Sequence, residues 1–355
     1  MAYTNIDDPS AYFHTQLYTG AGSELVITND GNSDLQPDFI WIKQRNTGQN
    51  HNIYDSNRGA TTMLYPDLTN AEYSAGESLK SFNTDGFTVG NYGTVGTSGG
   101  TYVAWQWKAN GGTTASNTDG NITSTVQVNQ DAGFSIVTYT GNGSNNQTIG
   151  HGLGVQPSWW VVKNRSGGST NWLFGASSIL GGTSNYLKLN DTSANTEYNN
   201  IWGDSPTSST LFRVSNLSHL NTNGSNYVAY LFANKQGYSK FGKYVGNGAI
   251  DGPFVYTGFK PAFVLIKNVD TTQVWIMYDG ARKPFNRDDN VASLYANTAG
   301  AEYTGASYHN LDILSNGFKI RLTDASQNGN GNNHIYMAFA ENPFTTSTGI
   351  PTTAR

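Results

Sequence analysis

Cysteine is absent from this 355-residue chain, so neither a disulfide framework nor a thiolate metal site is open to it. Charge is scarce too. Asp, Glu, Lys and Arg supply 13% of the residues, against ~25% in an ordinary soluble domain. The net charge of −5 comes with no basic cluster, which argues against nucleic acid as a partner, since phosphate neutralisation needs Lys and Arg gathered on one face. Apolar runs end after four to six residues, where a membrane-spanning helix needs ~18 or more. The opening residues Met1 to Asp8 lack the basic and apolar regions of a secretory signal, so export by that route is not expected. Catalytic spacings are missing as well. The six histidines, His14, His51, His151, His219, His309 and His334, are scattered. No H-x-x-x-H or H-E-x-x-H pair and no Gly-x-Ser-x-Gly elbow occurs, and each histidine reads as a lone surface residue.

What the chain has is a sentence written three times. Tyr18-Thr19-Gly20 returns as Tyr139-Thr140-Gly141 and Tyr244-Val245-Gly246. A proline and a short apolar strand ending in lysine follow each time, closing at Lys43, Lys163 and Lys267. Eleven residues past each lysine stands an aromatic: Tyr54, Phe174, Tyr278. A leucine precedes a Glu-Tyr pair by eight residues, giving Leu64 with Glu72, Leu189 with Glu197 and Leu294 with Glu302. Phe87, Phe212 and Phe318 come next, and the unit closes on Tyr102-Val103-Ala104-Trp105, Tyr227-Val228-Ala229-Tyr230 and Tyr336-Met337-Ala338-Phe339. A period near 100 residues sets the domain count.

The apolar runs are rich in Val, Ile, Trp, Tyr and Phe and are separated by Gly/Asn turns, which describes strands. The expectation is an all-β chain of three tandem antiparallel, jelly-roll-like β-sandwich repeats at residues 11–108, 132–236 and 240–344. A Gly/Thr/Asn linker at 109–131 should let the first unit sit apart, with the second and third packed more tightly. Residues 345–355 read as a polar, extended tail. In the closing strand of unit one, Val103, Trp105 and Trp107 should share one face and Tyr102, Ala104 and Gln106 the other. Residues 286–299 read as a turn or short helix at most.

Few residues can carry chemistry. Glu72, Glu197 and Glu302 recur, but glycoside cleavage needs two facing carboxyl groups and no second acid recurs in register. Each glutamate is therefore expected to pair with the strand-end lysine of its own unit: Lys43 with Glu72, Lys163 with Glu197, Lys267 with Glu302. Acidic clusters at Asp7-Asp8, Asn117 to Asn121 and Asn286 to Asn290 do not fit the twelve-residue calcium loop and read as solvated turns. Tyr92, Trp202 and Tyr308 fall outside the repeated anchors and are the aromatics available to a sugar-binding face. No catalytic, cofactor or metal site is assigned.

The opening Ile6-Asp7-Asp8-Pro9-Ser10-Ala11-Tyr12-Phe13, the runs Leu17-Tyr18-Thr19-Gly20 and Asp34 to Lys43, and the closing Tyr336 to Phe344 resemble a family of virion structural proteins of marine and cyanobacterial tailed bacteriophages. The resemblance implies a particle component, assembled in the host cytoplasm, with no catalytic residues to carry over. Heptads, triple β-helix repeats and collagen-like runs are absent, and about ten residues precede the first unit, so a compact protein seated on the capsid, or a short tail appendage, is expected. Its partners would be major capsid or tail proteins. A homo-oligomer and a host glycan are further partners it admits. The leading expectation is a capsid decoration protein bridging shell subunits; the alternative is a tail fibre or receptor-binding protein, and an enzyme is not expected.

Overall fold

A computed structural model describes residues 3–284, 286, 292–305 and 310–352. Tyr308, His309 and residues 287–290 of the third acidic cluster lie outside the described residues, as does most of the first half of the 286–299 segment. The chain is all-β, with only two four-residue α-helices, Ser177–Leu180 and Ala325–Asn328, and one 3₁₀ turn, Pro9–Ala11, among the described residues.

One strand order occurs in each unit: an opening strand pairs with the closing strand, which pairs with the lysine strand, which pairs with a fourth. In unit one these are Phe13–Thr19, Thr101–Trp107, Phe39–Gln44 and Asn52–Asp55. In unit two they are Phe134–Thr140, Asn226–Phe232, Trp159–Asn164 and Leu173–Gly175. In unit three they are Ser239–Val245, Asn333–Pro343, Phe259–Asn268 and Trp275–Asp279. These ladders are antiparallel. A smaller sheet accompanies each, Leu25–Ile27 with Gly86–Val89 and Leu79–Asn83, Gln147–Gly150 with Leu211–Val214, and Phe254–Tyr256 with Gly317–Ile320 and Leu311–Leu314.

Strand alternation sends each large sheet two ways. One face meets the unit's own small sheet. Ile40, Tyr54, Phe87 and Tyr102 fill that core in unit one, Val162, Phe212 and Tyr227 in unit two, and Val264, Tyr278 and Phe318 in unit three. The other face meets the other two units. Trp105 and Trp107, Tyr230 and Phe232, and Met337 and Phe339 join a single cluster with Phe13, Phe39, Phe134, Trp159 and Phe263. Trp107 shows how intimate the junction is. Its ring centroid lies 4.9 Å from Phe13, 6.4 Å from Phe232 and 5.5 Å from Phe339, one ring from each unit. Three sandwiches therefore surround one common aromatic core.

Unit one accordingly does not stand apart. The expected linker is built into the second unit instead: Ala115–Asn117 and Ser124–Asn129 pair with each other and extend its large sheet. The polar tail folds back on its own chain, where Ser347 donates from N and Oγ to the Asp7 carboxylate at 2.6 and 2.5 Å.

Two registers also differ from the repeat as counted along the sequence. Lys43 pairs with Val103 and Lys163 with Val228, but Lys267 pairs with Ile335. His334 thus occupies the place of Tyr102 and Tyr227, and it stacks on Tyr244 at 5.0 Å as Tyr102 stacks on Tyr18 at 4.8 Å. A shift of two residues preserves the side of the sheet, so Met337 and Phe339 still face the common core. In unit two Phe174 points into the common core, unlike Tyr54 and Tyr278. The loop before it is one residue longer, and Gly175 falls in the tyrosine's place. There Trp160 takes the space: a Cβ on Gly175 would lie 2.3 Å from its ring.

A shared core predicts shared unfolding. Trp107→Ala should cost ~3–5 kcal/mol, and calorimetry should show one transition for wild type and variant alike; separate melting of any unit would contradict the common core.

Candidate functional site

Among the described residues, the ion pairs with both side chains buried collect at the seams between units. At the seam of units one and two, Arg165 grips Glu72 with both arms of its guanidinium, Nε to Oε2 at 2.8 Å and Nη2 to Oε1 at 2.9 Å. Arg58 reaches the same carboxylate at 3.5 Å and holds Asp55 at 2.6 Å. Asp55 in turn accepts from the Tyr230 hydroxyl of unit two at 2.6 Å. Arg58 and Asp55 have no exposed side-chain surface, and such a buried charge needs partners on every side. Burial works to lower the Arg58 pKa, but Asp55 and Tyr230 outweigh it and raise it.

The seam of units three and one repeats this. Arg45 grips Glu302 at 2.9 and 2.8 Å, Arg282 reaches it at 3.0 Å, and Arg282 holds Asp279 at 2.6 Å. Asp279 accepts from Trp105 Nε1 at 3.0 Å, and Arg282 lies 5.5 Å over the same indole. Burial works to raise the Glu302 pKa; the two arginines outweigh it and hold the carboxyl below its ordinary range.

The expected lysine–glutamate pairs do not form: Lys43 is not with Glu72, Lys163 not with Glu197, and Lys267 not with Glu302. All three lysines are buried, and carbonyl oxygens receive them. Lys43 donates to the Gln44 and Thr47 carbonyls at 2.6 and 3.3 Å. Lys163 crosses its seam to the Thr69 carbonyl at 2.8 Å, and Lys267 crosses to the Thr192 carbonyl at 2.9 Å. Each glutamate of the first and third units is answered instead by an arginine two residues beyond the next unit's lysine, whose planar fork fits a carboxylate at both oxygens.

At the seam of units two and three the described residues form no such network. Trp172 Nε1 bonds to the Tyr65 carbonyl and Trp275 Nε1 to the Lys188 carbonyl. The Glu72 amide bonds to the Arg165 carbonyl, the Glu302 amide to the Arg45 carbonyl, and the Asn195 amide to the Val269 carbonyl. Asn195, two residues before Glu197, therefore holds the glutamate's place, and Val269 the arginine's. Glu197 itself is exposed. By the same pairing Ala176 replaces the aspartate, Ile179 the second arginine, and Met337 the donor ring. Four charged positions have become neutral together, and the donor ring has gone with them, as they must if no charge is to be left alone.

A cleft of about 500 Å³ opens over the first seam, lined by Tyr65, Thr69, Asn70, Glu72, Tyr73, Tyr92, Gly168 and Ser169. A second, of about 510 Å³, lies between units one and three and holds the His14–Asp30 hydrogen bond and the Lys260–Glu341 ion pair at 2.9 and 2.5 Å. Of the off-pattern aromatics, Tyr92 lines the first cleft, while Trp202 is only 1% exposed and packs edge-on to Trp160.

The histidines correct another expectation. His51, His151 and His334 are buried, not surface residues. His51 accepts from Trp41 Nε1 at 2.8 Å, and burial beside Lys43 drives its pKa well down. His151 accepts from the Leu153 amide, and burial lowers its pKa to about 4. Both are neutral packing groups at pH 7. His14 and His219 are partly exposed.

A family model described as Domain of unknown function (DUF7483) matches residues 8–343. The chain belongs to that family. No curated protein and no solved structure matches it. The matched stretch takes in all three units, both ionic seams and the cleft.

Removing one member of an ionic seam strands the others. Glu302→Ala should lower unfolding free energy by ~3–5 kcal/mol and the more exposed Glu72 by somewhat less, whereas Glu197→Ala should leave the urea midpoint unchanged. The lysines predict a pH effect. Burial lowers Lys163 to about 7 and lowers Lys43 and Lys267 to about 8, from an ordinary 10.5. Between those values the unfolded chain holds protons that the native chain does not, so stability climbs from pH 7 towards 10. Above 10 it falls again, because burial keeps Tyr18, Tyr139 and Tyr244 protonated in the native state. Urea midpoints at pH 7, 8 and 9 should rise, and Lys163→Met should remove on the order of 1 kcal/mol of that climb.

Proposed function

We propose that this chain is a non-enzymatic structural protein of a bacteriophage particle, assembled in the host cytoplasm and seated on the head surface, where it bridges shell subunits. The observation that supports this most is where the recurring residues go. Aromatics fill the common core, and the arginines, aspartates and glutamates of the two ionic seams are consumed by one another. What remains outside is largely polar Asn- and Gly-rich loops in a chain of low overall charge. Such surfaces suit wet contacts spread over a wide area, and contacts that exist only in the assembled particle stabilise it by mass action. The resemblance of the opening and closing motifs to phage particle proteins points the same way. A glycosidase reading lacks its second acid: in the tyrosine cleft the lining carboxylate, Glu72, is already held by Arg165 and Arg58.

The second reading is a tail fibre or receptor-binding protein, and the tyrosine-lined cleft favours it. Densitometry of purified virions separates the two: hundreds of copies per particle accord with the head, about six to eighteen with the tail. Virions lacking the protein should lose resistance to heat and osmotic shock while adsorbing normally. Particles that keep both resistance and adsorption, together with a purified protein that degrades host polysaccharide, would overturn the proposal.

A further inference from the structure

We infer that the cleft at the seam of units one and two is a binding site for a neutral saccharide. Three tyrosines of unit one form one wall. Tyr73 is 53% exposed, so an apolar ring face is open to solvent beside a concave polar surface. Tyr65 and Tyr92 meet through their hydroxyls at 3.5 Å and turn two phenols toward the same space. Gly168 and Ser169 of unit two form the opposite wall. Sugar rings present apolar C–H faces and a rim of hydroxyls, and an aromatic plane flanked by amide and hydroxyl groups matches both.

The walls are fixed before any ligand arrives. Lys163 Nζ to the Thr69 carbonyl, Trp172 Nε1 to the Tyr65 carbonyl, the Glu72 amide to the Arg165 carbonyl and the Thr170 amide to the Thr69 carbonyl all cross the seam directly behind the cleft. Ser169 is held at a φ of +64°, a left-handed conformation that a non-glycine residue adopts at a cost, and adjacent Gly168 leaves the approach unobstructed. Pre-formed walls spare a weak ligand the cost of ordering them.

Charge selects the ligand class. Glu72 is balanced by the guanidiniums of Arg165 and Arg58, and Arg58 by Asp55. The ammonium of Lys163 points away, into carbonyl oxygens. Among the described residues, the cleft therefore carries no unspent cation for a phosphate or acidic sugar. The seam of units two and three supplies an internal comparison: Lys188, Asn195 and Thr196 stand where Tyr65, Glu72 and Tyr73 stand here, so these positions carry no aromatic ring.

This inference goes beyond the architectural role and does not depend on whether the chain sits on head or tail. It is tested on the purified full chain by isothermal titration with maltose, cellobiose, lactose and chitobiose. At least one should bind with a Kd of about 1 mM. Tyr73→Ala should abolish that binding or weaken it about tenfold, and Asn70→Ala should weaken it about threefold. Both side chains are exposed, so folding is spared. Tyr198→Ala, at a tyrosine 48% exposed but outside the cleft, should titrate as wild type. No binding of any of the four saccharides, or binding that Tyr73→Ala leaves unaltered, overturns the inference; either result leaves the virion measurements untouched.

Discussion

The rest of the molecule depends on the aromatic cluster where the three large sheets meet. A sandwich of about 100 residues can bury one face of its large sheet against its own small sheet; the second face must find another surface or stay in water. Here that second face carries Trp105 and Trp107, Tyr230 and Phe232, Met337 and Phe339. Each ring among them buries some 150–250 Å², and leaving these side chains exposed would be ruinous for a lone sandwich. The hydrophobic term thus decides that the units form one body. The seams can then afford buried charge, because the aromatic core has already brought their walls together.

The seams make that body specific. A buried ion pair adds little net stability over an apolar packing, but a broken one is costly. The chain uses both options. Asp55, Arg58, Glu72, Arg165 and Tyr230 at one seam match Asp279, Arg282, Glu302, Arg45 and Trp105 at another, while Ala176, Ile179, Asn195, Val269 and Met337 fill the third. The change is concerted because partial neutralisation would leave an unpaired charge out of water.

Much of the fold was legible in the sequence. Constant spacing marked the units, and strict alternation in Tyr102 to Trp107 separated the two faces of the sheet. Registers were less legible. Counting from one anchor to the next cannot see an extra residue absorbed in a loop, and so Glu197 was read for Asn195 and Tyr336 for His334. Both slips were of two residues, which keeps a side chain on its own face of a strand; facing survived where alignment did not. Partners were missed for a different reason. The glutamates were given lysines within their own units, yet the geometry that answers them comes from the neighbouring unit. A signal was present: Asp-x-x-Arg at Asp55–Arg58 and Asp279–Arg282, and an arginine two residues past Lys43 and Lys163, recur in two copies and fail in the third. The aromatic cleft was visible only in part, as the off-pattern Tyr92; Tyr73 belonged to the repeated Glu-Tyr pair, Tyr65 to no repeated anchor, and the seam brings all three to one rim.

The inequality of the three seams has a consequence for assembly of the chain itself. Head-to-tail contacts between like units are open to error: identical joints would let a unit be borrowed from a second molecule, or let the ring close in the wrong sequence, and polymers would follow. Two ionic joints with different donor rings, Tyr230 in one and Trp105 in the other, and one joint without the arginine–carboxylate network among the described residues label each junction differently. A unit arriving at the wrong place would bring a carboxylate to Val269 or a valine to Glu72. The mismatch works as a lock against domain exchange.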